Sequence, residues 1–385
     1  MKTGHRVTKI DPKQKRIEVL NLSQSEVQLI PYDKLIITTG ARSRRLNIPG
    51  SDSKNIFTLK DLQDGVRIKN YIDEKRPKQV AILGGGFIAL EMCEAFRLRN
   101  METFVFCRRD LPAGNLESEI SERILKELQV NGTHFLTHHE PIAFKVNSHG
   151  ETISFETNKA EYPVDMVLMA NGVIPNVEIA KEAGVELGKA GAIRTDKTQS
   201  TNLADIYTGG DCCEVFNLIS QDWVYTPLGD IANKQGRVAG ENAAGGEATF
   251  SGVVGSAAFK VFELEVAFTG LGTKTALKYG FNVDSQVIEA ESKVGYMPGS
   301  KRMLIKLIFD RQSGRLLGAQ MAGKEGVARR INALAVAVHQ KMSVDEIARL
   351  DFAYAPPFSA PFDPILIAAE QAGKKIRNQK GGILK

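Results

Sequence analysis

Cysteine is scarce in this chain: four in 385 residues, Cys93, Cys107, Cys212 and Cys213. Their spacing offers neither a C-x-x-C pair nor a disulfide framework, which points to a reducing, cytoplasmic setting. Also missing are a signal-peptide-like start and any apolar run near the ~18 residues of a membrane span, so no membrane partner is expected. Charge of one sign is not in large excess. Lys and Arg number 50 against 45 Asp and Glu, and the net +5 is too mild and dispersed to argue for nucleic acid. With 43% hydrophobic and 25% charged residues, disorder is not the default, and the length suits two or three domains. His134, His138 and His139 cluster, but no Cys or carboxylate spacing completes a metal site, so none is expected.

What the chain does have is Gln79-Val-Ala-Ile-Leu-Gly-Gly-Gly-Phe-Ile-Ala-Leu-Glu91. The short apolar run Val80 to Leu83 reads as a buried parallel strand, and Leu90 to Leu98 as the helix after it. Between them lies G-x-G-x-x-A. Gly84 allows the tight turn, Gly86 lets backbone approach a diphosphate, and Ala89 lets the helix pack close to the strand. The helix N-terminus offers free N–H groups to that diphosphate. The alternative is a Gly-rich turn without a ligand. The next strand, Glu102 to Cys107, ends ~20 residues past the glycines, where an NAD site usually carries an acid. Here it runs into Arg108 and Arg109, a pair suited to a 2′-phosphate, with Asp110 beyond the expected point. NADP(H) is therefore expected over NAD, though two solvated loop arginines are the plain alternative.

Along the rest of the chain, Val7–Ile10 and Arg16–Leu20 alternate as a hairpin or meander. It has Ile and Val faces with no layer to cover them. Tyr32 to Gly40 reads as a strand, 61–76 and Ser118–Val130 as helices, and Val164–Ala170 as a buried strand. Ile206-Tyr-Thr-Gly-Gly-Asp211 places an acid at a strand's C-terminal end, where α/β sheets bind ligands. Thr226 to Gly245 reads as a helix. Beyond 250 the pattern changes to strands (Val261–Phe268, Arg302–Phe309, Leu316–Met321) and helices over 324–341 and 343–350, as in a compact α+β domain.

These segments carry a resemblance. Pro31-Tyr-Asp-Lys-Leu-Ile-Ile-Thr-Thr-Gly-Ala41, Gly84 to Glu91, Asn171-Gly-Val-Ile-Pro-Asn176, Ile206 to Cys212, Ala232 to Gly240 and Tyr354-Ala-Pro-Pro-Phe-Ser359 together resemble the flavin-dependent pyridine nucleotide–disulfide oxidoreductases. Within them the chain is most similar to the coenzyme A-disulfide reductase, NADH oxidase and NADH peroxidase branch. The resemblance implies an α/β fold with Rossmann-like FAD- and NAD(P)-binding domains and a C-terminal α+β dimerisation domain. It implies four segments: 1–50 as a remnant of the FAD-binding domain, 51–171 for NAD(P), 172–249 as the second part of the FAD-binding domain, and 250–385 forming a homodimer. Asp211 then matches the acid that holds the flavin's ribityl hydroxyl, with Pro227, Leu228 and Ala232 near the flavin ring. Thr39, Gly40 and Gly172 are further candidates for cofactor contact. Phe87 matches the aromatic covering the flavin, Ile88 and Glu91 lie beside that pocket, and Tyr296 and Tyr354 match tyrosines that reach the partner subunit's active site.

The family pattern also includes an initial glycine fingerprint for FAD and a redox cysteine, for which this sequence shows no candidate. The expected activity is reduction of a small disulfide such as coenzyme A disulfide, from NADPH through FAD. The alternatives are oxidase or peroxidase activity on an oxygen-type acceptor, a non-catalytic NADP-binding remnant, or completion by a separate N-terminal FAD-binding polypeptide.

Overall fold

A computed structural model describes residues 1–381, which gather into two compact units, 1–42 with 173–253 and 43–172 with 254–381. Each unit is built from segments far apart in sequence.

The first unit opens with a three-stranded antiparallel sheet, His5–Asp11, Arg16–Asn21 and Val27–Pro31. One face buries Ile10 and Val19, while Val7, Val27 and Leu29 stay exposed. The expected strand over Tyr32 to Gly40 shortens to Leu35–Ile37, which pairs in parallel with Ile206–Thr208. Ile10, Ile37, Ile193 and Ile206 pack beside Cys212 and Cys213 in one core. The helix predicted from Thr226 starts at Gly229, because Pro227 lacks a donor and Leu228 stays extended as the cap.

In the second unit, five parallel strands form a doubly wound sheet. Their order is Ile56–Thr58, Met166–Met169, Gln79–Leu83, Glu102–Cys107, Thr133–Thr137. Val80, Ala81 and Ile82 are fully buried, as an apolar strand covered on both faces requires. Each buried Ile or Leu here contributes about 1.5–3 kcal/mol. Helix Leu62–Lys75 is fixed at both ends. The Asp61 side chain accepts from the Asp64 amide, and Arg76, in the left-handed region, closes it before Pro77.

The C-terminal part of this unit is a five-stranded antiparallel sheet, in the order Ala257–Val261, Leu264–Gly270, Leu316–Gly323, Arg302–Asp310, Val283–Glu291. The single strand read over Val261–Phe268 is corrected to a hairpin. Phe262 has φ 50° and turns the chain, a conformation that a run of apolar letters conceals. One apolar core spans both sheets of this unit: Phe96, Ile120, Ile124 and Leu168 join Phe259, Val261, Val266 and Leu304. The start of helix Ser118–Val130 is tied to the C-terminal sheet by charge. The buried Lys306 ammonium lies 2.7 Å from Glu117 and 2.9 Å from Glu119. Glu117 also accepts from the Thr273 amide and hydroxyl, and its own amide donates to Gln320. No helix among the described residues is long and apolar enough to cross a membrane.

Candidate functional site

The glycine turn sits at the C-terminal end of the central strand Gln79–Leu83, between strands whose connections run in opposite directions. Such a reversal opens a crevice above a parallel sheet. Gly84 has φ +116°, and a Cβ there would stand 2.5 Å from the Ala170 carbonyl oxygen, so only glycine fits. Gly85 faces the Cys107 sulfur, and nothing lies within 4 Å of where a Gly86 Cβ would be. Gly86 caps helix Phe87–Arg97 in an extended conformation without a side-chain cap bond, so the first amides point outward unpaired by any cap. Ala89 is fully buried where helix meets sheet.

Above the turn lies a cavity of about 940 Å³ within residues 44–172. Gly84, Gly86, Gly172, Arg108 and Arg109 line it, joined by Asn171 from the motif before Gly172 and by Arg44, which the sequence pattern does not reveal. Asn171 Nδ2 is buried without a hydrogen-bond partner, an orphan donor at the wall of a cavity sized for a nucleotide. Arg108 and Arg109 are exposed, and the Arg109 guanidinium lies over Gly114, where a Cβ would come within 2.5 Å of it. Asp110 does not line the cavity; its carboxylate is 2.5 Å from His138 Nε2. Among the lining residues the acid is Glu140, which follows strand Thr133–Thr137 and not the strand that ends at the arginines. The buried His139 is held by the Thr137 carbonyl and the Tyr162 hydroxyl, each at 2.8 Å.

Phe87 stacks on Phe259, with ring centroids 4.5 Å apart, and tilts against Phe268 at 5.8 Å. Ile88 follows, half-buried, on the same first turn. Glu91 keeps more than a third of its surface in solvent, yet partial burial raises its carboxyl above the ordinary range.

In the first unit the structure brings Thr39, Gly40 and Asp211 together around Cys212. The Cys212 thiol is lowered to about 6, first by the Cys213 hydrogen bond and against the opposing push of burial, with further contacts from Thr208, Gly40 and Thr39. The Thr39 hydroxyl also donates to the Asn176 carbonyl at 2.6 Å. Gly40 has φ +66° with open space where a side chain would project. The Tyr225 hydroxyl donates to the Asp211 carbonyl at 2.9 Å, linking the strand end to the approach of helix Gly229–Ala243. Pro227, Leu228 and Ala232 line that approach, and the helix start has no side-chain cap. All four cysteines are buried, and burial pushes the Cys93 thiol up to about 12. Tyr296 and Tyr354 lie in the C-terminal part of the second unit, 77% and 49% exposed, on segments outside regular structure.

A glycine cradle at a sheet's switch point and an acid-ended strand in a second α/β unit are features of a nucleotide-binding protein. The chain belongs to the pyridine nucleotide–disulphide oxidoreductase family: residues 1–236 match the family model and 256–363 match its dimerisation domain. The family is FAD-dependent and uses NAD(P)H, and the dimerisation domain supports a homodimer. An NADH oxidase of Methanocaldococcus jannaschii is 36% identical over 97% of this chain and 82% of its own length. A CoA-dependent NAD(P)H sulfur oxidoreductase of Pyrococcus abyssi is 33% identical, covering 88% of this chain and 75% of that protein. The solved structure of an NAD-dependent persulfide reductase from A. fulgidus aligns with a TM-score of 0.94 at 33% identity, over 97% of this chain and 69% of that one.

Proposed function

We propose that this chain passes two electrons from NADPH, through FAD, to a small disulfide of the coenzyme A class. The net reaction is RSSR + NADPH + H⁺ → 2 RSH + NADP⁺. The observation that carries the nucleotide half is the cavity at the glycine turn, with Arg108 and Arg109 on its wall and no acid at the strand end beside them. Gly84, Gly86 and the amides of Phe87, Ile88 and Ala89 would hold the diphosphate, with the N-terminal helix charge favouring it. The Asn171 amide and Gly172 backbone would face the nicotinamide side. Phe87 and Glu91 would flank the ring's approach.

Thr39, Gly40, Asp211, Pro227, Leu228 and Ala232 would hold FAD. The open backbone at Gly40 and the uncapped helix after Leu228 leave room and donors for it. Bound flavin supplies the electron relay. The Tyr296 and Tyr354 hydroxyls would orient or protonate a departing thiolate in the partner's site. The relatives' acceptors, CoA-dependent sulfur and a persulfide, support the disulfide class. A second reading, transfer to oxygen or peroxide, is favoured by the burial of all four thiols and by the oxidase relative.

The test is an anaerobic visible spectrum of the purified chain before and after NADPH, followed by coenzyme A disulfide or air. A flavin band that bleaches with NADPH and returns with the disulfide is the expected result. Return with air alone would favour the second reading, and no flavin band would overturn the proposal for this chain. Asp211→Ala is expected to weaken FAD retention about 10–100-fold, the loss of one charge-assisted bond. Flavin released on dilution reads this, and wild-type retention would remove Asp211 from the site.

A further inference from the structure

Tyr296, Tyr354 and Phe358 project from two irregular segments and are 77%, 49% and 78% exposed, so their own packing does little to hold them. Both segments are nevertheless anchored at their base by one side chain. Arg330, near the start of helix Val327–His339, has a guanidinium with only 14% of its side chain exposed. Its Nε donates to Asp363 Oδ2 at 2.9 Å, and its Nη2 donates to the Ser292 carbonyl at 2.8 Å and the Phe358 carbonyl at 3.2 Å.

Each acceptor is itself fixed. Asp363, 7% exposed, also accepts from the Ser359 hydroxyl and the Ile365 amide. Ser292, 2% exposed, donates its hydroxyl to Glu325, and its amide to the Lys301 carbonyl, which closes the loop bearing Tyr296. Lys293 reaches the same Glu325 at 3.2 Å. Room for the guanidinium comes from Gly326, where a Cβ would lie 2.5 Å from Arg330 Nη1.

We infer that Arg330 is a positioning residue that locks the Tyr296 loop and the Tyr354–Phe358 segment into one platform, and so sets how the acceptor is bound. The inference rests on the proposed role of the two tyrosines. A planar fork reaches a carboxylate and two carbonyls at once, whereas a lysine ammonium on a shorter, unforked stem cannot span them. Loosening this anchor would let the two segments shift apart and weaken the contacts they make with the acceptor, so the fork's geometry matters more than its charge.

The test compares wild type, Arg330→Lys and Arg330→Met as flavin-loaded protein. Arg330→Lys keeps a cation beside Asp363, so it carries the test if Arg330→Met does not fold. The expected result for Arg330→Lys is a KM for coenzyme A disulfide raised about tenfold, with the KM for NADPH and the rate of ferricyanide reduction unchanged. Amide hydrogen exchange over 293–300 and 355–359 is expected to quicken about tenfold, with the central strand Gln79–Leu83 unaffected. An unchanged disulfide KM, or an equal rise for NADPH, overturns the inference. If wild type itself does not reduce the disulfide, the functional reading fails. Exchange then still decides whether the clamp exists: wild-type rates in Arg330→Lys would dispose of it.

Discussion

Replacing Arg108 and Arg109 together with alanine is expected to raise the KM for NADPH about a hundredfold while leaving that for NADH within about twofold. Only NADPH carries the 2′-phosphate, and a hydrogen bond to a charged group contributes about 1.5–3 kcal/mol. The two arginines are exposed, so water competes for them, and the total is set near ~3 kcal/mol, which is about two decades in affinity. The strand itself ends at Cys107 without an acid, and Asp110, three residues on, lies off the cavity wall beside His138. Steady-state kinetics with both nucleotides measures the effect. Equal losses for NADH and NADPH would show that the arginines support the loop and do not read the phosphate.

Lys306→Met is expected to destabilise the second unit by about 2–3 kcal/mol, because removing the buried cation leaves two partly buried carboxylates without a counter-charge, with solvent screening the half-exposed Glu119. Burial alone would lower the Lys306 pKa, but its bonds to Glu117 and Glu119 outweigh that and raise it. Burial would likewise raise the Glu119 carboxyl, yet the Lys306 bond holds it below the ordinary range. A raised lysine contributes stability below its unfolded pKa, and a depressed carboxyl contributes above its own. Both contributions are therefore complete between about pH 6 and 9; the carboxyl part fades as pH falls through the Glu119 value and the lysine part as pH rises through the Lys306 value. The gap between wild type and Lys306→Met should be widest near neutrality and narrow below about pH 4, in denaturant unfolding followed at several pH values. Adding Glu117→Gln and Glu119→Gln to Lys306→Met should recover much of the loss. A pH-independent gap would mean that lost packing, not charge, explains it.

The parts of the molecule that were legible in the sequence are those with a local cause. The run Val80 to Leu83 is apolar because its strand is covered on both faces, and Gly84 is glycine because Ala170 leaves no room for a Cβ. Counting along the chain from the glycines leads to Arg108 and Arg109, which the fold sets on the cavity wall. Edge strand Val283–Glu291 escaped notice because one side of it has no sheet neighbour. Its letters, Val-Asp-Ser-Gln-Val-Ile-Glu-Ala-Glu, therefore lack the apolar signature of a central strand. Arg44 and Arg330 were hidden for another reason. Each is placed by a fold that joins distant segments, and nothing near them in the chain announces their partners. The same holds for Lys306, whose contact with Glu119 spans 187 residues.

The core shared by the nucleotide-binding sheet and the C-terminal sheet bears on how this architecture can be recombined. Phe96, Ile120 and Leu168 are sealed in part by Phe259, Val261 and Val266, from a hairpin 91 to 170 residues later in the chain. The glycine-bearing segment is therefore not a cassette. Transplanted alone into another scaffold, it would arrive with an open hydrophobic wound, prone to clump. An exchange that swaps coenzyme preference between relatives should move the Arg108–Arg109 loop alone, or else carry the hairpin along with the whole sheet.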